Sequence, residues 1–300
     1  MDIVSTQALG KRYGSTTVVD DLHLRIPEGC VYGFLGPNGS GKSTTMKMLL
    51  SLIAPTSGRI ELFGRPMTRE TRRDLLAGVG SLIEAPPGYG HLTGAENLRI
   101  VQRSLGLRND QVERAVRTVR LQDQMDKKVR HYSLGMKQRL GIAMALAREP
   151  RLLILDEPTN GLDPAGIEEI RGLLRHLASN GVTVMVSSHL LGEIDRTADV
   201  LGILSGGRMI FQGSRTDLTS AVTPDVLIDT VDPSRVGPVL RKDLPARVDG
   251  HTVRVSGIDD RTTARVVEDL VGAGAGVFGV RRDEQSLEDV FMSLTSGGRP

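Results

Sequence analysis

The segment Gly36-Pro37-Asn38-Gly39-Ser40-Gly41-Lys42-Ser43-Thr44 constrains this chain more than any other stretch. It follows a short apolar run, Val31 to Leu35, and precedes a helix-patterned segment, Thr45 to Leu50. Strand, glycine-rich turn, Gly-Lys-Ser and helix is the layout of a phosphate-binding P-loop. The three glycines let successive backbone N–H groups point at an anion without Cβ obstruction. The helix that follows brings its unpaired N–H groups and the positive end of its dipole to the same anion. In this layout Lys42 reaches the β- and γ-phosphates and the Ser43 hydroxyl ligates Mg²⁺. The segment as a whole predicts a nucleoside triphosphate site.

Two later strand ends fit that site. The buried-strand pattern Leu152 to Leu155 runs into Asp156 and Glu157. An acidic pair ending a strand is by itself only a turn signal. Beside a P-loop, Asp156 is placed to hold Mg²⁺ directly or through water. Glu157 then projects toward the γ-phosphate and orients or deprotonates the attacking water, assistance typically worth about 10²–10⁴-fold. The run Val182 to Ser188 ends in His189. Polar residues at strand ends of open parallel sheets face the ligand crevice, so His189 is expected to sense the γ-phosphate. Tyr13 reads first as an ordinary strand aromatic, although its ring is also suited to lie on adenine.

The totals exclude several alternatives. The chain has 300 residues, enough for two domains, and a formal charge of 38 − 36 = +2. That balance gives no strong basic field for nucleic acid. Trp is absent and aromatics number only nine (four Tyr, five Phe), which argues against base stacking over a sheet. The apolar runs fall well short of the roughly 18–20 residues of a membrane-spanning helix. No basic-then-apolar leader pattern opens the sequence. Cys30 is the only cysteine, which fits a reducing cytosol, and it is expected to be a small buried hydrophobe.

Along the chain, residues 3–30 read as short antiparallel strands, with Leu22, Leu24 and Ile26 alternating against His23 and Arg25 before the Pro27-Glu28-Gly29 turn. Ser57 to Gly64 and Val79 to Glu84 read as further strands. From the Pro86-Pro87-Gly88 breaker to Glu149 the pattern is mostly helical, as in Val112, Ala115, Val116 and Val119. The tail reads as a separate small α+β unit. Val226 to Val231 is a strand, a helix is expected around Pro233–Lys242, and Asp249-Gly250 is a hairpin turn between alternating runs. A helix over 260–272, a strand near Val277–Val280 and a last helix from Ser286 through Leu294 complete a βαββαβ-like plan.

Between the P-loop and His189 stand Tyr132-Ser133-Leu134-Gly135-Met136-Lys137-Gln138-Arg139 and, after Glu157, Pro158-Thr159-Asn160-Gly161-Leu162-Asp163-Pro164. This order resembles the ATP-binding-cassette (ABC) ATPases, with their signature loop, Walker B strand, D-loop and H-loop. The resemblance covers about Tyr13 to Gly213. It implies an α/β P-loop ATPase core with an antiparallel β subdomain and a helical signature subdomain at about 85–150, so that residues 1–222 form the ATP-binding domain and 223–300 the small C-terminal domain. The cofactors it implies are ATP and Mg²⁺.

Ser133 is a good N-cap, and a helix start with the Ser133 hydroxyl and Gly135 N–H exposed is an anion site. The resemblance implies that this site serves the ATP of a second ATPase subunit, with Asp163 at the seam of a homodimer. Two departures stand out. Leu134 and Met136 replace the Gly and Gln of the common signature, and Glu84 replaces a Gln that normally bridges Mg²⁺ or water to the membrane partner; Glu84 is still expected to coordinate Mg²⁺, while adding negative charge near the triphosphate. Both are similar to the bacitracin- and lantibiotic-resistance branch. Ser286-Leu287-Glu288-Asp289-Val290-Phe291 resembles the ending of daunorubicin-type exporter ATPases. The expected function is the ATPase subunit of an ABC-2 type exporter, lying at the inner face of the cell membrane on a separate integral permease and carrying an antibiotic or other hydrophobic compound. The alternative is an ABC ATPase acting on nucleic acid or the ribosome, disfavoured by the single P-loop and the absence of sustained heptads.

Overall fold

The computed structural model describes every residue except 85, 195–196, 221–224, 238–243, 245, 284–289, 293 and 295–300. The chain divides into compact units, one containing Met1–Arg215 and the other Thr216–Ser293.

The first unit carries a six-stranded sheet in the order Arg208–Ser214, Val200–Ser205, Val31–Leu35, Thr183–Ser188, Leu152–Leu155, Val79–Leu82. All its pairings are parallel except that of the Arg208–Ser214 edge. The central strands are buried on both faces, which is why they read as unbroken apolar runs rather than alternations. Fully burying a Leu or Ile side chain contributes about 1.5–3 kcal/mol, so Leu152 to Leu155, each at 0% exposure, anchor the middle of the domain. The pairings Leu35 with Ser188 and Leu155 with Val186 bring the C-terminal ends of three neighbouring strands together. Those ends lead into the P-loop, His189 and Asp156.

The second sheet of this unit is antiparallel, ordered Thr16–Leu22, Asp2–Tyr13, Ser57–Leu62, Arg65–Pro66, with Arg25–Pro27 also pairing to Asp2–Tyr13. The expected alternation of Leu22, Leu24 and Ile26 does bury all of these residues. It is divided between separate strands because the buried Thr6 hydroxyl donates to Leu22 O and accepts from Leu24 N–H, both at 2.8 Å.

The helical stretch contains Gly94–Leu105, Asn109–Thr118 and Leu134–Leu146. Thr93 and Glu96 form a reciprocal capping box at the first of these. Ser133 caps the third, its Oγ accepting from Met136 N–H at 3.2 Å. No described helix is long and apolar enough to cross a membrane.

In the second unit, antiparallel strands are ordered Ala246–Asp249, Thr252–Val255, Val226–Thr230, Val277–Arg282. Helix Asp260–Gly272 buries Val266 and Leu270, and Asp259 caps it by accepting from Thr262 N–H. The Asp249-Gly250 turn is present, with Gly250 at φ 57° and Asp249 paired to Thr252. The helix expected at Pro233–Lys242 is instead a 3₁₀ turn at Pro233–Arg235 within the described part. Asp232 accepts from the Ser234 N–H and hydroxyl, which closes a tight turn in place of a helix start. Its remainder from 238, and most of the last helix expected at Ser286–Leu294, lie outside the described residues.

Candidate functional site

The P-loop conformation is set by its glycines. A Cβ on Gly36 would lie 2.2 Å from Leu204 O, and one on Gly41, at φ 104°, 2.8 Å from Val18 O. Both positions exclude any larger residue. Helix Lys42–Leu49 begins at Gly41 with no side-chain cap, which leaves its N-terminal dipole open to an anion. Ser40 Oγ is buried without a hydrogen-bond partner. A sealed hydroxyl beside an open helix start is the orphaned polar atom a bound phosphate would satisfy. Pro37, Asn38 and Gly39 are exposed at the loop crest, Ser43 is exposed at the mouth, and Thr44 is half-buried.

Lys42 is 5% exposed, and its Nζ donates to the carbonyls of Gly36 at 2.7 Å and Pro37 at 3.3 Å. Burial lowers its pKa from the ordinary lysine value, against the opposing pull of Glu157 and then Asp156. Glu157 Oε1 lies 3.9 Å from Lys42 Nζ, and Glu157 Oε2 is 3.1 Å from His189 Nδ1. The Glu157 carboxylate thus stands between the P-loop lysine and the strand-end histidine. Glu157 adopts φ 46°, a left-handed conformation unusual for a non-glycine residue and found often at functional sites.

Ser187 was not legible as a site residue. Its buried Oγ donates to Asp156 Oδ1 at 2.5 Å and accepts from the Glu157 backbone N–H at 2.9 Å. The only sequence signal was its place two residues before His189 on a fully buried strand.

A cavity of about 350 Å³ is lined by Ser43, Glu84, Asp156 and Glu157, together with Leu134, Gln138 and Asn160. The sequence reading assigned no role to the last two of these residues. Among the described residues, no three His, Cys, Asp or Glu side chains gather as an all-protein metal cage. A hydroxyl with scattered carboxylates fits Mg²⁺, which keeps several waters and takes few protein ligands besides substrate phosphates.

Glu84 borders this cavity, but its Oε1 accepts from Lys47 Nζ at 2.5 Å. That hydrogen bond lowers the Glu84 pKa and raises that of Lys47. Glu84 also has φ 68°. The expectation of a carboxylate free to ligate metal therefore meets a carboxylate engaged by a neighbouring lysine.

The remaining expected residues lie outside the residues lining this cavity. Tyr13 is 50% exposed, with Lys11 Nζ at 4.9 Å from its ring centroid. Asp163 caps helix Pro164–Ser179 by accepting from Gly166 N–H at 3.0 Å. Gly135 follows the Ser133 cap without intruding on a neighbour, since a Cβ there would lie 3.8 Å from Leu162 Cδ2. A separate cavity of about 770 Å³ is lined in part by Arg120, Arg139, Glu169 and His176. Its Arg139 is already paired with Glu169.

A family model described as "ABC transporter" matches residues 19–160. The bacitracin transport ATP-binding protein BcrA of Enterococcus faecalis is 40% identical over 301 residues, covering 99% of this chain and 97% of the relative. The daunorubicin/doxorubicin resistance ATP-binding protein DrrA of Streptomyces peucetius is 34% identical, covering 97% and 92%. Among solved structures, cbiO1 of Clostridium perfringens, part of an ABC transporter complex, superposes with a TM-score of 0.68 at 28% identity, covering 73% of this chain and 91% of that one. With a glycine-shaped phosphate loop, a lysine, two acids and a histidine gathered at one sheet edge, and near-complete coverage by such relatives, the chain belongs to the ATP-binding proteins of ABC transporters.

Proposed function

We propose that this chain is the ATP-hydrolysing subunit of an exporter for an antibiotic or other hydrophobic compound, working on a separate membrane permease from the inner face of the membrane. The observation that carries the reading is the placement of the Glu157 carboxylate between Lys42 and His189. ATP binds with its phosphates on the loop Gly36–Thr44, drawing Lys42 Nζ from the loop carbonyls to the β- and γ-oxygens. Ser43 and Asp156 would hold Mg²⁺, with Glu84 at its margin if released from Lys47. When bound there, the ion would neutralise charge along the triphosphate. Glu157 takes a proton from water as the water oxygen bonds to the γ-phosphorus. The bond from that phosphorus to the β,γ-bridging oxygen breaks, and its electron pair leaves with ADP. His189, hydrogen-bonded to Glu157, keeps the carboxylate aimed and contacts the γ-phosphate. Tyr13 lies on the adenine.

Each chain carries both a P-loop and a capped helix start at Ser133 and Gly135. A homodimer would let each capped start complete the ATP site of its partner, with Asp163 at the seam. Closing and opening of that dimer would drive the permease. The names of the relatives, which concern bacitracin and daunorubicin or doxorubicin, support an antibiotic cargo. Residues 1–222 serve as the ATP-binding domain, with the helical part at about 85–150, and 223–300 as a small supporting domain.

The test is ATP turnover by the purified chain, alone and with its permease. Wild-type protein should release phosphate, while Glu157→Gln should bind ATP and lose turnover by at least about 10²-fold. Full turnover in Glu157→Gln would overturn the assignment of the base.

A further inference from the structure

Gln138 carries an unpaired polar atom at the reaction cavity. Its Oε1 is sealed from solvent without a hydrogen-bond partner, and the residue is 5% exposed. Its side chain lines the same cavity as Ser43, Asp156 and Glu157. A buried amide oxygen left unpaired costs about 1–3 kcal/mol, and native proteins satisfy the great majority of such atoms.

None of the polar groups lining the cavity, Ser43 and Asn160 included, donates to it. Ionised Asp156 and Glu157 only accept hydrogen bonds. Ser187 spends its proton on Asp156, and Lys42 is engaged with Gly36 and Pro37. A small turn of the amide would let a donor that enters the cavity reach this oxygen. At about 350 Å³ the space is polar and far larger than the share of one water, about 30 Å³.

We propose that the Gln138 amide oxygen accepts a hydrogen bond from the water that Glu157 activates, which makes Gln138 a positioning residue for hydrolysis. The inference rests on the hydrolytic reading given above and deepens it. Two acceptors, Gln138 Oε1 and the Glu157 carboxylate, would take the two protons of one water and leave an oxygen lone pair for the γ-phosphorus. Gln138 belongs to helix Leu134–Leu146, whose start is capped by Ser133 and whose Leu134 also borders the cavity. A shift of that helix start, such as binding of a second copy would cause, moves the water-holding oxygen with it. The capped helix thereby connects a contact made at its start to the reaction in its own chain.

The deciding variant is Gln138→Met, which keeps length and volume but removes the acceptor. It should lower kcat at least about tenfold, since small misplacements of reacting groups cost up to about 10²-fold. KM for ATP and the affinity for trinitrophenyl-ATP should stay within about twofold of wild type, because ground-state binding is untouched. The ligand-free variant should melt at the wild-type temperature or above, because replacing an unsatisfied polar group by an apolar one is near neutral or stabilising. Gln138→Glu, which keeps an acceptor, should recover several-fold over Gln138→Met. A wild-type kcat in Gln138→Met would overturn the proposal. So would a loss of kcat accompanied by a lower melting temperature and weakened nucleotide binding, the pattern of a structural role. Glu157→Gln separates the two levels. If it retains turnover, the hydrolytic reading fails. If it is inactive while Gln138→Met is normal, only the role of Gln138 fails.

Discussion

Ser187 Oγ donates a 2.5 Å hydrogen bond to Asp156 Oδ1. The same oxygen accepts from the backbone N–H of Glu157, so one hydroxyl on the neighbouring strand fixes the carboxylate of the first acid and the backbone of the second. Ser187→Ala leaves a 9%-exposed carboxylate without that donor, which should destabilise the protein by about 1–3 kcal/mol. It should also raise the Mg²⁺ concentration for half-maximal turnover several-fold. Ser187→Thr restores the hydroxyl and should recover both. Denaturant melts and Mg²⁺ titrations check the pair of outcomes, and an unchanged Mg²⁺ requirement in Ser187→Ala would separate Ser187 from the metal site.

Lys47 and Glu84 form an exposed pair, and their removal should leave stability close to wild type. Its effect falls on the nucleotide. Lys47→Met leaves the Glu84 charge uncompensated beside the triphosphate and should weaken ATP binding without divalent cation. Glu84→Gln should strengthen it, and the double variant should return toward wild type. Trinitrophenyl-ATP fluorescence in EDTA measures all of these affinities. The differences should shrink with added salt, as exposed charges are screened.

The P-loop, the acidic strand end and the Ser133 cap were legible because each is a local pattern whose residues dictate their own backbone. Glu84 was legible as a departure but not as a bound group, because its partner lies 37 residues earlier and only the fold joins them. The hydrogen bonds of Ser187 and the cavity position of Gln138 were not legible for the same reason. Their meaning comes from packing of Thr183–Ser188 and Leu134–Leu146 around residues distant in sequence. Asp163 was read through resemblance as a seam residue, while its visible local work is to cap helix Pro164–Ser179. At Pro233 the helical expectation gave way to a 3₁₀ turn closed by Asp232, a competition between side-chain and helical hydrogen bonding that spacing alone does not resolve.

Lys42 gives opposite pH trends for folding and binding. Burial lowers its pKa in the folded chain. Between that lowered value and the ordinary lysine value, the unfolded chain holds more protons. The Lys42 contribution to stability therefore rises with pH across this interval. ATP needs the charged ammonium, so affinity falls as pH rises through the same interval, and binding takes up protons there. Calorimetry in buffers of different ionisation enthalpy should detect the uptake in wild type and not in Lys42→Met. In a pH series of thermal melts, the difference between wild type and Lys42→Met should move in favour of wild type as pH rises through this interval.

Cys30 is buried, and burial, aided by Asp199, pushes its thiol pKa up to about 11. That rise cuts the thiolate fraction by about 10²-fold near neutral pH. A disulfide reagent should therefore label the native chain at least about 10²-fold more slowly than the urea-unfolded chain. Equal rates would show that the thiol is open to solvent in the native state.

The central claim is that the triphosphate on one copy's glycine loop is completed by the Ser133-capped helix of another. The most direct measurement is the mass of Glu157→Gln by sedimentation with saturating Mg-ATP, with and without the permease. The isolated chain should shift from 32.4 kDa to twice that mass. The shift should be reversed by removing nucleotide and abolished by adding Ser133→Arg. A chain that stays monomeric with ATP bound, and remains a single copy on its permease, would contradict the claim.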